Sequence, residues 1–186
     1  LCIRDSVGGE GRGGFRQSNS QWLPGFSPLG RSIADFDGDG HLDIFSPQHS
    51  GELTREDLAC HIYWGSSSGF HTRRRSTLIC DSVNDSLAAD FNGDGLLDIT
   101  TGWEQGGAIV VYQNPGPAKA KSAWPSVTVG RVASPEDAVF ADLAGDGNLD
   151  VVSSCEGSER TMYVHWAPAK RKDYLKSNAW VTFSIL

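Results

Sequence analysis

Nowhere in the 186 residues do roughly 18 apolar side chains run together, so no segment is long enough to cross a bilayer as a helix. A basic stretch followed by an apolar run, the mark of a secretory leader, is also missing. The chain opens on Leu1, and the expectation is a leader already removed or a fragment of a longer protein. Basic residues are outnumbered, 16 Lys and Arg against 23 Asp and Glu. The resulting net charge of −7 excludes nucleic acid as the expected partner, because phosphate contacts rest on clustered cations. HExxH and a phosphate loop are absent, and the five histidines are scattered without metal-ligand spacing.

Cysteine is sparse. Cys2, Cys60, Cys80 and Cys155 are too few for a disulfide scaffold, and no CxxC pair points to zinc or redox chemistry. Cys60 and Cys80 flank a hairpin expected near Phe70, so antiparallel pairing can bring them together. A disulfide and two buried thiols acting as small hydrophobes are both open. Helical periodicity is nearly missing too, with Leu53 to Ala59 as the best candidate for a single turn. The glycine-rich opening has little to bury, and residues 1–21 are expected to be disordered or non-native.

What is present is a repeat. Three segments align without gaps: ADFDGDGHLDI from Ala34, ADFNGDGLLDI from Ala89 and ADLAGDGNLDV from Ala141. Their first aspartates, Asp35, Asp90 and Asp142, are 55 and then 52 residues apart. Each loop is followed by a short apolar run, then by a β-branched and aromatic segment (HIYWG from His61, AIVVYQ from Ala108, MYVHW from Met162). A closing segment completes each unit (STLIC from Ser76, SVTVG from Ser126, VTFSI from Val181). Gly, Pro, Ser and Asn fill the gaps, as turns require. Four short strands every 50 residues or so match a β-propeller blade. The expected fold is therefore all-β, with about three four-stranded antiparallel blades at 31–83, 84–132 and 133–186. Three blades are fewer than the roughly four to eight that close a ring, so the propeller is incomplete, and Trp22 to Arg31 is read as the last strand of a preceding blade.

The loops have the composition of a cation site. Oxygen-bearing side chains at positions 1, 3, 5 and 9 and a backbone carbonyl at position 7 would wrap an ion that takes six to eight oxygens. In the first loop these are Asp35, Asp37, Asp39, the His41 carbonyl and Asp43. In the second they are Asp90, Asn92, Asp94, the Leu96 carbonyl and Asp98. In the third they are Asp142, Asp146, the Asn148 carbonyl and Asp150, with Ala144 at position 3 unable to ligate. The expectation is Ca²⁺ at two complete sites and a weaker third. Glycines at positions 4 and 6 supply the backbone freedom of the turn, and the apolar residue at position 8 is expected to anchor the loop in the core. Position 12 is Ser46, Thr101 or Ser153, not the glutamate of an EF-hand. Ten of the 23 acids lie at ligand positions, so folding and calcium should be coupled.

The pattern AD-hydrophobic-(D/N/A)GDG-x-LD-(I/V), followed by an aromatic strand such as IYWG, resembles the FG-GAP and VCBS repeats of integrin-α-type β-propellers, over about residues 22–186. That resemblance implies calcium-stiffened hairpins joining the first two strands of each blade. It also implies an extracellular, periplasmic or cell-surface location, and the remaining blades of a parent propeller as partners. The leading functional reading is noncatalytic: adhesion, or binding of a protein or glycan ligand, without membrane insertion. A polysaccharide-degrading lyase or hydrolase built on the propeller and a structural spacer are the alternatives. On the end of the blades away from the loops, His49, Glu104 and Glu156 are repeat-equivalent, as are Asp85 and Asp137, whose counterpart in the first unit is Gly30. With Trp103 these residues form a candidate ligand face.

Overall fold

The structure, a computed structural model, describes residues 2–6, 20–25, 27, 29–49 and 59–185. Among the described residues, fourteen strands form one two-stranded ribbon, β1 (Cys2–Ser6) with β2 (Ser20–Pro24), and three four-stranded antiparallel sheets. Blade I contains β3 (Ser32–Ala34), β4 (Asp43–Ser46), β5 (Ala59–Tyr63) and β6 (Arg75–Ile79). Blade II contains β7 (Val83–Ala89), β8 (Asp98–Trp103), β9 (Ala108–Tyr112) and β10 (Ser126–Arg131). Blade III contains β11 (Pro135–Ala141), β12 (Asp150–Cys155), β13 (Met162–Trp166) and β14 (Val181–Ile185). Each sheet is a plain meander in which every strand pairs with its sequence neighbour. Among the described residues, helix is limited to 3₁₀ turns at Arg171–Asp173 and Ser177–Ala179, and no helix is long and apolar enough to cross a membrane. The segment 50–58, which holds most of the candidate turn at Leu53 to Ala59, lies outside the described residues, as does 7–19.

Period-two alternation explains how the blades stack. On β9 the sequence AIVVY is buried throughout. Ala108, Val110 and Tyr112 face blade I, in a cluster with Phe45, Ile62 and Trp64, whereas Ile109 and Val111 face blade III with Val151 and Tyr174. A strand covered on both sides has no polar positions to spare, hence its continuous apolar run. Each fully buried aliphatic side chain contributes about 1.5–3 kcal/mol. On the outer face of blade III, by contrast, Met162, Phe183 and Ile185 are exposed. Those positions correspond to the face that blades I and II turn toward the next blade.

An aromatic side chain at one position of each third strand reaches back across the preceding interface. Tyr112 Oη donates to the Ile79 carbonyl at 2.5 Å, at the end of blade I's last strand. His165 packs against Gly130 on blade II's last strand, where any side chain would collide with the imidazole ring. In blade I the equivalent Tyr63 Oη donates to the carbonyl of Pro24, and Leu23 is buried against Ile44 and Tyr63. The strand β2 thus occupies the place of a preceding blade's last strand. The opening segment, expected to be disordered, contributes β1 as the partner of that strand.

Cys60 and Cys80 form a disulfide with a Cα–Cα separation of 5.8 Å, stapling the β5–β6 hairpin, while Cys155 is a buried free thiol.

Candidate metal centres

Each repeat loop bridges the first two strands of its blade with the same backbone course. The glycines at positions 4 and 6 all adopt positive φ: Gly38 and Gly40 at 72° and 88°, Gly93 and Gly95 at 70° and 86°, Gly145 and Gly147 at 70° and 82°. A side chain there would strain the backbone, which is why the GDG triplet recurs. The position 1 carboxylate sits at the centre of the turn. Asp35 accepts from the N–H groups of Gly38 at 2.8 Å, Asp39 at 3.1 Å and Gly40 at 2.9 Å. Asp90 accepts from Asp94 and Gly95 at 3.0 and 2.9 Å, and Asp142 from Gly145, Asp146 and Gly147 at 2.7, 3.1 and 3.0 Å. Position 5 accepts from the N–H of position 7: Asp39 from His41, Asp94 from Leu96, and Asp146 from Asn148, each at 2.9 Å.

In the first loop Asp35, Asp37 and Asp39 each offer a carboxylate oxygen, all within 4.8 Å of one another. The donors are hard oxygens without sulfur or imidazole, a set that fits Ca²⁺. Lys121 from blade II also reaches Asp37, its Nζ 2.7 Å from Oδ2, so one oxygen of that set already has a cationic partner. In the second loop Asn92 Oδ1 accepts from the Asp94 N–H at 2.9 Å while its Nδ2 donates to Asp94 Oδ2 at 2.9 Å. In the third, Ala144 leaves position 3 without an oxygen, and Asn148 Oδ1 accepts from Tyr174 Oη at 2.7 Å.

Position 9 has a second task that the spacing did not reveal. Asp43, Asp98 and Asp150 are buried, and each uses its two oxygens to tie the hairpin to the end of the third strand. Asp43 accepts from Phe36 at 2.9 Å and Gly65 at 2.8 Å, Asp98 from Phe91 at 3.2 Å and Asn114 at 2.7 Å, and Asp150 from Leu143 at 3.2 Å and Ala167 at 2.8 Å. Burial pushes the Asp43 carboxyl up to about 6 and that of Asp98 up to about 7, against those N–H bonds and with help from the neighbouring aspartates.

The loop anchor differs from the expectation. At position 8, Leu97 and Leu149 pack partly against the core, but Leu42 is 61% exposed. Position 2 is the anchor of the first two loops. Phe36 meets Trp124 of blade II edge-on at 5.8 Å, and Phe91 stacks on Phe140 at 5.7 Å and meets Tyr174 of blade III at 5.2 Å. Polar contacts follow the same route: Asn114 Nδ2 donates to the Phe36 carbonyl at 2.8 Å, and Arg171 Nη1 to that of Gly93 at 3.3 Å.

At the other end of the blades a second acidic group forms. His49 Nε2 lies 2.5 Å from Glu104 Oε2, and Glu104, Glu136 and Glu156 each offer an oxygen within 4.8 Å of the others. Backbone bonds from Glu104 N–H to the Ser82 carbonyl at 3.0 Å and from Glu156 N–H to the Ser134 carbonyl at 3.1 Å fix both residues. Burial raises the Glu136 carboxyl above its ordinary range, with Glu156, Glu104 and Asp137 adding repulsion. Of the candidate ligand face, His49, Glu104 and Glu156 therefore come together. Asp137 instead accepts from Ser154 Oγ at 3.3 Å, Asp85 accepts from the Ser86 N–H at 2.7 Å, and Trp103 packs against the core with its indole N–H donated to Thr101 at 3.0 Å.

Counting along the strands missed Glu136 and Asn84. Register shifts between Val83 and Ser86 and between Pro135 and Asp137 each insert one extra residue into the first strand. Such a bulge redirects the side chains before it, so the residue six before each loop, not five, faces the acids. The signal in the sequence is weak, no more than a Ser two residues earlier; in the structure Ser82 and Ser134 take positive φ, at 48° and 44°.

A family model described as an FG-GAP-like repeat matches residues 90–153, from the second loop through most of β12. No curated protein and no solved structure matches the chain.

Proposed function

From the premise that this is an FG-GAP repeat protein, we propose that it is a noncatalytic propeller segment whose hairpin loops bind Ca²⁺ and whose blades serve adhesion or the binding of a protein or glycan ligand outside the cytoplasm. The observation that carries the calcium reading is the first loop, where three carboxylate oxygens converge within 4.8 Å on a backbone that the other two loops share. Like charges held that closely in a partly buried turn repel, and a divalent cation converts the repulsion into a brace. The Cys60–Cys80 disulfide supports an oxidising compartment, where millimolar calcium fills even weak sites. The exposed outer face of blade III suits a further blade as its partner. Thermal melting with Ca²⁺ and with EDTA tests the calcium reading: a higher melting temperature in Ca²⁺ supports it, and coincident curves at neutral pH remove it. Binding screens against glycan and extracellular-matrix panels test the ligand reading.

A further inference from the structure

Loop I differs from its two relatives in charge. Asp37 fills position 3 where Asn92 and Ala144 stand in loops II and III, which gives loop I four carboxylates against three. The Asp37 side chain is also buried, with only 6% of its surface exposed. A carboxylate withdrawn from water that far costs free energy unless it is paired. Its partner is Lys121 of blade II, whose Nζ lies 2.7 Å from Asp37 Oδ2. With that ammonium counted, loop I holds the same net three negative charges as loops II and III. Among the described residues, no Lys or Arg forms an ion pair with a carboxylate of those two loops. In loop II the Asn92 amide donates to Asp94 Oδ2 instead, and Arg171 meets only the backbone, at the Gly93 carbonyl.

Lys121 is delivered from a fixed point. Its carbonyl accepts from Ser76 Oγ at 2.9 Å on blade I's last strand, and Ser76 in turn accepts from Trp64 Nε1 at 3.0 Å. The turn that carries it is closed by the N–H groups of Lys119 and Ser122, which donate to the Gly116 and Lys119 carbonyls. The backbone is therefore held, while the Lys121 side chain is 57% exposed and its ammonium remains in reach of water. A second place for the charge is at hand, because Nζ lies 5.4 Å from the centre of the Trp64 ring, within cation–π range.

We propose that Lys121 is a tethered counter-ion that sets the calcium affinity of loop I, holding the Asp37 oxygen until a divalent ion takes it. The proposal rests on calcium binding at the hairpin loops and names what regulates it in the first of them. Two cations facing one carboxylate repel, so Lys121 and Ca²⁺ each weaken the other's hold on Asp37. The fourth carboxylate of loop I then brings no gain in affinity over a loop with three. Without calcium, Lys121 neutralises Asp37 and ties blade II to blade I at this point. With calcium, its ammonium is left to the Trp64 ring and solvent.

Calorimetric titration of the 186-residue chain with Ca²⁺ tests this, with Asp35→Asn/Asp39→Asn marking the step that belongs to loop I. Lys121→Met keeps the apolar stem and removes the charge. It is expected to tighten the loop I step roughly threefold or more, to leave the other steps unchanged, and to lower the melting temperature in EDTA. Adding Asp37→Asn to Lys121→Met is expected to recover most of that melting temperature, because no buried carboxylate is then left unpaired. A loop I affinity that is unchanged or weaker in Lys121→Met overturns the proposal, as does an unchanged melting temperature in EDTA. Should Asp35→Asn/Asp39→Asn bind as many ions as the parent, calcium binding at loop I itself fails and the proposal falls with it, a result read without any change at Lys121. If Lys121→Met does not fold, Lys121→Gln is titrated in its place with the same expectations.

Discussion

The first two hairpin loops and the third share a sequence and a backbone, yet they stand in different surroundings. Loops I and II each send an aromatic side chain into the following blade, Phe36 onto Trp124 and Phe91 between Phe140 and Tyr174. Each also receives a polar contact from that blade, through Lys121 and Asn114 or through Arg171. In loop III the same position is Leu143, 49% exposed, and position 3 is Ala144. The difference teaches that the loop does more than gather carboxylates. It is the key by which one blade locks onto the next, and any stiffening of the hairpin is passed across the interface.

The largest effect expected from breaking this comparison is at Phe91. Replacement by Ala removes a buried ring stacked on two aromatics and should cost about 3–5 kcal/mol in denaturant unfolding. Leu143→Ala, at the matching position of loop III, should stay within about 0.5 kcal/mol. Equal costs would mean that position 2 is not an interblade anchor. Blade I carries a different reinforcement, the disulfide across a separation of 20 residues. Replacing Cys60 and Cys80 by Ser should lower stability by roughly 3 kcal/mol, with the increase in hydrogen exchange concentrated in β5 and β6.

Blade III is also set apart by His165, which stands where blades I and II have Tyr63 and Tyr112. Its ring is buried, hydrogen-bonded to Ser153 and Thr182 at 2.9 Å each, and burial lowers its pKa to about 4. The unfolded chain takes up that proton near pH 6.5, before the folded chain does. Stability is therefore full above about 6.5 and falls as the pH drops toward 4, by on the order of 2–3 kcal/mol. Unfolding free energies measured across that range should show a shallower decline in His165→Gln than in the parent. An identical decline would place the acid sensitivity elsewhere, with the partly buried His61 the next group to examine.

Much of this was legible in the sequence because repetition and alternation are local properties. The gapless loops, the aromatic third strands and the uniformly apolar AIVVY define three antiparallel sheets and their order. The anchor at position 2 was not legible, since Phe36 and Phe91 gain their role only from Trp124, Phe140 and Tyr174, which lie in the following blade. Position 9 looked like a ligand alone because its N–H partners, such as Gly65 and Asn114, come from the end of another strand. Glu136 and Asn84 were hidden by one-residue bulges, which shift the face of a strand without changing its composition. The Cys60–Cys80 pairing needed the register of β5 on β6, which the spacing left open.

A smaller effect sharpens the loop comparison from the other side. Ala144→Asp supplies the missing oxygen of loop III, and it should raise calcium affinity there while leaving stability in EDTA nearly unchanged or slightly lower. Calorimetric titration of this variant against the parent reads the change.

The most direct measurement of the whole account is hydrogen exchange by mass spectrometry, with and without Ca²⁺, on peptides covering 35–43, 90–98 and 142–150. Strong calcium-dependent protection is expected in the first two loops, spreading to the following blade at 120–124 and 171–174, with weaker protection in the third. Exchange that does not respond to calcium, or that responds equally in all three loops, would contradict it.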